Sequence, residues 1–191
     1  SWRGENDNPG RFELFYGEVD DLLAAAEHLA RHPAVDPNRI YLVGHSNGGT
    51  LALLGAVASN RFRAVFSLSG APDVEHVVRN GKGYGNTPYD YRAVEESRMR
   101  SAAPFVRFLQ TPTFYIAAEK FVYGDDALAM QQQATALNKP FRAFFVRGAD
   151  HLNLLEAANR VIAKKIAADT GPTCNITLDA GELQRAFDGR K

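Results

Sequence analysis

The chain reads as an α/β protein: a mostly parallel sheet with helices on both faces. Three observations predict this. Short apolar runs alternate with stretches of helical periodicity along the 191 residues, which is the order produced by strand–helix–strand units with right-handed crossovers. The runs at 40–43, 63–69, 113–117 and 141–146 are apolar enough for parallel strands covered on both faces. At 39–49 the sequence R-I-Y-L-V-G-H-S-N-G-G passes from a strand, through a Gly-x-Ser-x-Gly turn, directly into an Ala/Leu-rich helix.

Taken in order, residues 2–11 are polar and rich in turn formers, so the chain opens on a loop. Over 17–31, Val19, Leu22, Leu23, Ala26, Leu29 and Ala30 recur at three, four and seven, the face of an amphipathic helix that His32-Pro33 ends. Asp36-Pro37-Asn38 turns the chain into the strand at 40–43. The helix after Ser46, at about 48–59, is almost wholly Ala, Leu, Val and Gly, as a helix buried against a sheet should be. A second strand at 63–69 closes on Gly70-Ala71-Pro72-Asp73. Between 73 and 109 the pattern loosens, with Gly81, Gly83, Gly85, Pro88 and three tyrosines among charges and a short helix expected at 93–100. An excursion of this length between sheet elements reads as a lid-like insertion. The third strand (113–117), a helix (126–138) and the fourth strand (141–146) follow. The last core helix is expected to bury Leu155, Ala158, Ile162 and Ile166 before Gly171-Pro172 terminates it. The tail holds one apolar stretch at 176–178 and a helical turn around Leu183. Nothing divides the chain, so residues 1–191 are expected to be one domain.

Composition limits the function. Basic and acidic residues number 22 each, so no overall positive field draws in nucleic acid or an anionic membrane. The single cysteine, Cys174, cannot form an internal disulfide, and no apolar run reaches the length of a membrane span. The segment 1–5 is not a signal peptide, and a cytoplasmic location is favoured. No dinucleotide or P-loop glycine pattern, no H-x-x-x-H and no C-x-x-C occurs, so neither a cofactor nor a metal is expected. Asn175-Ile176-Thr177 matches a glycosylation sequon and is assigned no function.

The chemistry concentrates at Ser46. A serine on a tight strand-to-helix turn is held with its hydroxyl exposed at the carboxyl edge of the sheet. Gly44 and Gly48 are both expected to be small because strand and helix approach closely there. The N–H of Asn47, at the start of the helix, is placed to stabilise an oxyanion, helped by the helix dipole. His151, in a loop just past the fourth strand, emerges on the same edge and is the expected general base. His28, on an amphipathic helix, His32, before a proline, and His45, inside the turn, are more simply explained by surface or local packing. His76 is a weaker rival.

These segments, with S-A-A-P-F-V-R-F-L-Q-T-P-T-F-Y-I before the third strand and V-R-G-A-D-H-L-N-L-L around His151, resemble the α/β-hydrolase superfamily. The similarity is strongest to the prolyl-oligopeptidase-like and dienelactone-hydrolase-like serine hydrolases. It covers roughly residues 3–168, and Arg3-Gly4-Glu5 resembles the Arg-Gly segment those peptidases carry after an earlier strand. The resemblance implies a Ser–acid–His triad in that chain order. It also implies that the family's first strands, and the loop giving the second oxyanion N–H, would lie upstream of Ser1, leaving one sheet edge open. The family's Asp a few residues after the third strand would fall at Phe121, a departure. Asp125 is then the leading acid, with Glu119, Asp126 and Asp73 as alternatives; Asp125 and Asp126 also suit a helix N-terminus, and Glu119 could simply be solvated.

The expected function is a serine hydrolase that cleaves a small ester or peptide through an acyl-enzyme. Tyr84, Tyr89, Tyr91 and Phe105 are candidates to line an apolar substrate pocket. The expected partners are the small-molecule substrate alone, with neither nucleic acid nor membrane; a homo-oligomer is compatible with the open edge. The alternative is a catalytically impaired hydrolase-fold binding or scaffold domain, motivated by the missing Asp and first strands. Acyl transfer to an acceptor other than water would use the same residues.

Overall fold

The computed structural model describes residues 3–81 and 87–189. Trp2, Gly83, Gly85 and Tyr84, the last a candidate pocket residue, lie outside them. Strands β1 (Tyr41–His45), β2 (Ala64–Leu68), β3 (Thr113–Ala118) and β4 (Phe141–Val146) pair in the order β1-β2-β3-β4, every pairing parallel. Spatial order equals chain order, so all crossovers run in one direction.

That order decides which face each helix covers. Right-handed crossovers in one direction stack their helices on one face of a sheet. Accordingly α1 (Gly17–Ala30), α2 (Asn47–Ala58), the segment between β2 and β3, and α5 (Gly124–Ala136) share one core with Val65, Tyr115 and Ala117. The other face, with Phe66, Leu68, Phe114, Ile116 and Phe144, is covered by α6 (Leu154–Ala168) and α7 (Ala180–Asp188). Both faces of β2 and β3 are therefore buried along their whole length, which is why their sequences are unbroken in apolar and small residues.

Several boundaries differ from expectation for local reasons. The segment after β2 forms α3 (Val74–Arg79), α4 (Val94–Arg98) and a 3-10 helix (Ala103–Phe108). Of these only α4 is legible, because α3 is a single capped turn and a half and the 3-10 helix is one short stretch with Pro104 in its first turn. α6 buries Leu154, Ala157, Ala158, Val161 and Ile162. The inner stripe is thus rotated from the expected one: Leu155 and Ile166 lie at its half-buried margin. The turn around Leu183 is a nine-residue helix, α7, capped by the Asp179 side chain accepting from the Glu182 N–H.

The C-terminal part is tied back to the amino ends of β1 and β2. Asp169, fully buried, accepts from Tyr41 Oη at 2.7 Å and from Arg63 Nε and Nη2 at 2.5 and 2.8 Å. Arg63 also donates to the carbonyls of Gly171 and Thr173, and Arg39 to that of Asp169. The carboxylate thereby anchors the connection between α6 and α7. Among the described residues no helix is long and apolar enough to cross a membrane.

Candidate active site

Ser46 sits between the last residue of β1 and the first of α2 with φ 57° and ψ −120°, a combination of angles that side-chain-bearing residues rarely adopt. The surrounding bonds hold it there. Its N–H donates to the Leu68 carbonyl at 2.8 Å, continuing the β1–β2 ladder, and its carbonyl accepts from the Thr50 N–H at 3.0 Å, starting the helix. A strand bond on one side and a helix bond on the other leave no relaxed conformation between them.

The glycines that permit this turn are Gly44, Gly49 and Gly70. A Cβ on Gly44 would lie 2.0 Å from the Gly48 carbonyl oxygen, and one on Gly49 would lie 2.8 Å from that of Leu68. On Gly70 it would meet Gly49 at 2.4 Å. Gly48, expected to be equally constrained, meets nothing within 4 Å. The expectation fails because Gly48 contributes only its backbone to the contact: its carbonyl faces Gly44 while its own Cα hydrogens point to open space.

Parallel topology places the carboxyl ends of β1 and β4 on the same edge. These are the two outer strands, about 14 Å apart at normal strand spacing, so the loop after β4 must reach across the sheet. It does so. His45, the last residue of β1, donates from Nε2 to the His151 carbonyl at 2.8 Å, and the two imidazole rings lie 4.4 Å apart between centroids. Because the acceptor is a carbonyl, this bond fixes the His45 tautomer with its proton on Nε2. The loop is stiffened by its own bonds: Asp150 Oδ1 accepts from the N–H groups of Leu152 and Asn153, and Asn153 Oδ1 accepts from that of Asp150. Ser46 and His151 are thus on adjoining segments, joined through His45. No hydrogen bond links Ser46 Oγ to His151 among the described residues, as is common before substrate tightens such a pair.

None of the four carboxylates expected as candidates reaches the imidazole. His151 Nδ1 is buried and has no hydrogen-bond partner among the described residues. Asp125, the leading acid, is exposed in the first turn of α5, where the positive end of the helix dipole accounts for it. Asp126 Oδ1 binds His76 Nδ1 at 2.5 Å. Asp73 caps α3, accepting from the His76 N–H at 3.0 Å and from Ser101 Oγ at 3.3 Å. Glu119 is exposed beyond the end of β3. In the place of an acid stands Phe121, whose ring lies parallel to that of His151, 2° from coplanar orientation and 5.3 Å away. Tyr123 in turn packs edge-on against Phe121 at 5.2 Å.

The electrostatics follow from this packing. Burial pushes the His151 pKa below its ordinary value of 6.5; His45 lowers it further, while Asp150 opposes both. At neutral pH the ring is an unprotonated base. Asn47 is the first residue of α2, directly after Ser46. Among the described residues no group of three or more His, Cys, Asp or Glu side chains could hold a metal ion.

Among the described residues, Tyr89, Tyr91 and Phe105 do not share one pocket. A 350 Å³ cavity is lined by Phe15, Tyr16, Leu54, Val57, Met99 and Phe105, among others. Of the expected residues that are described, Phe105 lines it. Tyr89 instead hydrogen-bonds Ser97 Oγ at 3.1 Å beneath the Arg100 guanidinium, 3.9 Å from its ring, and Tyr91 is exposed. Leu54 and Val57 lie eight and eleven residues along α2 from Ser46, about 12–16 Å at helical rise. The cavity is therefore remote from the elbow. What the sequence reading missed at the site itself is the role of His45 and Phe121. Their signals were the elbow position next to the nucleophile and the aromatic in an acid's place.

Comparisons with known proteins agree with this architecture. Dipeptidyl peptidase 4 from Porphyromonas gingivalis superposes with a TM-score of 0.67 at 22% identity, covering 82% of this chain and 23% of that one. The uncomplexed Pyrococcus horikoshii acylaminoacyl peptidase gives 0.72 at 17% identity, over 89% of this chain and 30% of that one. An acetyl xylan esterase from Paenibacillus sp. R4 gives 0.60 at 15% identity, over 79% and 52%. The chain thus spans less than a third of the peptidases and about half of the esterase. No curated protein matches it. The prolyl oligopeptidase family model matches residues 5–166, a span that contains the strained Ser46 elbow, all four strands and the His151 loop, and the chain belongs to that family, with the α/β-hydrolase fold.

Proposed function

We propose that the chain is the catalytic part of a serine hydrolase acting on a small ester or peptide. The observation that carries this reading is the strained Ser46 turn on the same sheet edge as His151, an imidazole that burial keeps neutral. Ser46 Oγ attacks the substrate carbonyl carbon while His151 Nε2 takes the hydroxyl proton. The tetrahedral oxyanion is met by the Asn47 N–H and the amino end of α2. Its collapse breaks the bond to the alcohol or amine, which leaves with the proton from His151. Water then attacks the acyl–Ser46 ester, giving a proton to His151 that returns to Ser46 Oγ as the carboxylic acid departs. Family membership supports hydrolysis as the reaction class; the esterase among similar folds supports acyl esters as substrates beside peptides.

A second reading is favoured by one observation, the unpartnered His151 Nδ1. A base with no carboxylate behind it lacks the group that holds its tautomer and stabilises the imidazolium, and a hydrolase fold so altered could serve as a binding domain. Fluorophosphonate labelling decides between them. Covalent labelling of the native chain, abolished in Ser46→Ala, is expected for the hydrolase; absence of Ser46-dependent labelling would overturn that reading in favour of the second. Turnover of a short acyl ester against that of a proline-containing peptide then separates esterase from peptidase.

A further inference from the structure

We propose that Phe121 and His45 are positioning residues that align the His151 imidazole, so that Ser46 and His151 work as a dyad without a carboxylate. This rests on the hydrolase reading above. An imidazole acting as base must hold its plane and its distance to the nucleophile, and a triad acid does both through one bond to Nδ1. Here that bond is absent among the described residues, yet the ring is confined on two sides. Phe121 lies flat against one face at 5.3 Å, itself wedged by Tyr123 at 87°. The His45 ring, tilted by 37°, approaches at 4.4 Å, and its Nε2–H pins the His151 carbonyl at 2.8 Å. Flat stacking resists rotation about the imidazole's outer torsion, and the carbonyl bond resists displacement of the loop. Together they restrict the two motions a carboxylate would restrict.

The two arrangements differ in one respect that can be measured. A carboxylate stabilises imidazolium, whereas a phenyl face with a neighbouring imidazole excludes water and offers no negative charge. The titratable groups that act on the ring are His45 from β1 and Asp150 from its own loop; Glu119 and Lys120, on the segment that carries Phe121, are exposed.

The test uses the whole chain with Phe121→Leu, Phe121→Tyr, His45→Leu and His45→Gln, each checked for cooperative melting. Imidazole nitrogen NMR of His151 over pH, which needs no turnover, is read beside kcat and KM for an acyl ester. Phe121→Leu and His45→Leu are expected to lower kcat about 10- to 100-fold with KM little changed, the scale of a misplaced reacting group. Tyr at 121, keeping the stack, and Gln at 45, keeping the donor, should recover most of that loss. Phe121→Leu should also bring the His151 titration back toward that of a free imidazole by admitting water. If folded Phe121→Leu and His45→Leu leave both the titration and kcat unchanged, the inference is overturned while the hydrolase reading stands. If the native chain shows no Ser46-dependent labelling, the hydrolase reading fails, and an unchanged His151 titration in the variants would overturn the positioning separately.

Discussion

Arg63 and Asp169, 106 residues apart, form a two-pronged ion pair in which the side chains are 6% and 0% exposed. Every charge in it is matched: the remaining acceptor capacity of the carboxylate takes Tyr41 Oη and the Asn175 N–H. A buried pair of this kind is weak as a net stabiliser but expensive to break from one side, because the survivor keeps its charge without water. Asp169→Asn is therefore expected to lower unfolding stability by about 3–5 kcal/mol, read as the shift in denaturant midpoint. Tyr41→Phe, which removes one bond to a carboxylate that keeps its others, should cost about 1 kcal/mol.

The same pair sets an acid limit. Hydrogen bonding from Arg63 holds the Asp169 carboxyl well below the usual carboxylate range. A lowered folded-state pKa means the unfolded chain binds the proton first, so this stability is fully present above the unfolded value of about 3.9 and lost as pH falls below it. The difference between native and Asp169→Asn chains should accordingly be large at pH 6 and shrink below about pH 4. A difference that stays constant across that window would mean Asp169 is not the group responsible.

Two glycines four residues apart, Gly44 in β1 and Gly48 in α2, should respond oppositely to alanine. Gly44→Ala drives a methyl to 2.0 Å from a backbone oxygen, and neither strand nor helix can yield without breaking its ladder. A loss in the range of severe core overpacking, about 3 kcal/mol or more, is expected. Gly48→Ala enters open space within α2 and removes helix-glycine flexibility, for a gain of up to about 1 kcal/mol. Thermal melting of the two variants distinguishes a crowded elbow from a merely glycine-rich one.

The depressed His151 pKa fixes the direction of two pH effects. Under the hydrolase reading the free enzyme's base stays unprotonated to lower pH than an ordinary imidazole, so the acid limb of kcat/KM for an ester should fall below pH 6.5. For stability, burial of the neutral form means the unfolded chain protonates first; the contribution is intact above 6.5 and declines as pH falls from there toward the folded value. An acid limb above 6.5 would show a carboxylate near the ring in solution.

How much of this was legible follows from the range of each interaction. Unbroken apolar runs reported β1 to β4 and the 3.6-residue period the long helices; β2 and β3 are buried on both faces as those runs imply, whereas β1 is only half-buried, with Val43 exposed. The placing of Ser46 and His151 on one edge came from parallel topology together with the chain order of the resembled family. What escaped depends on contacts the chain makes far from itself. The Arg63–Asp169 anchor has no local signature, and Gly44 and Gly48 look alike until the crossing direction of α2 is known. The acid was unreadable for the same reason: four carboxylates near the edge were chemically eligible, and only folding assigns Asp126 to His76, Asp73 to a helix cap, and Asp125 and Glu119 to solvent.

Position 121 allows the missing group to be restored. Phe121→Asp and Phe121→Asn both delete the ring that covers His151, and they differ only in charge, so their comparison isolates what a carboxylate would do there. A negative charge within about 4–6 Å raises an imidazole pKa by 1–3 units. The Asp variant should therefore titrate at least about one unit above the Asn variant, with its kcat/KM acid limb moved up by the same interval. If the carboxylate also reaches Nδ1 it holds the tautomer that leaves Nε2 free for the Ser46 proton, and kcat in Phe121→Asp should exceed that in Phe121→Asn by about tenfold or more. Equal titrations would show that a carboxylate at 121 stays too far from the imidazole to act on its charge, and that this chain cannot be returned to a triad by one substitution.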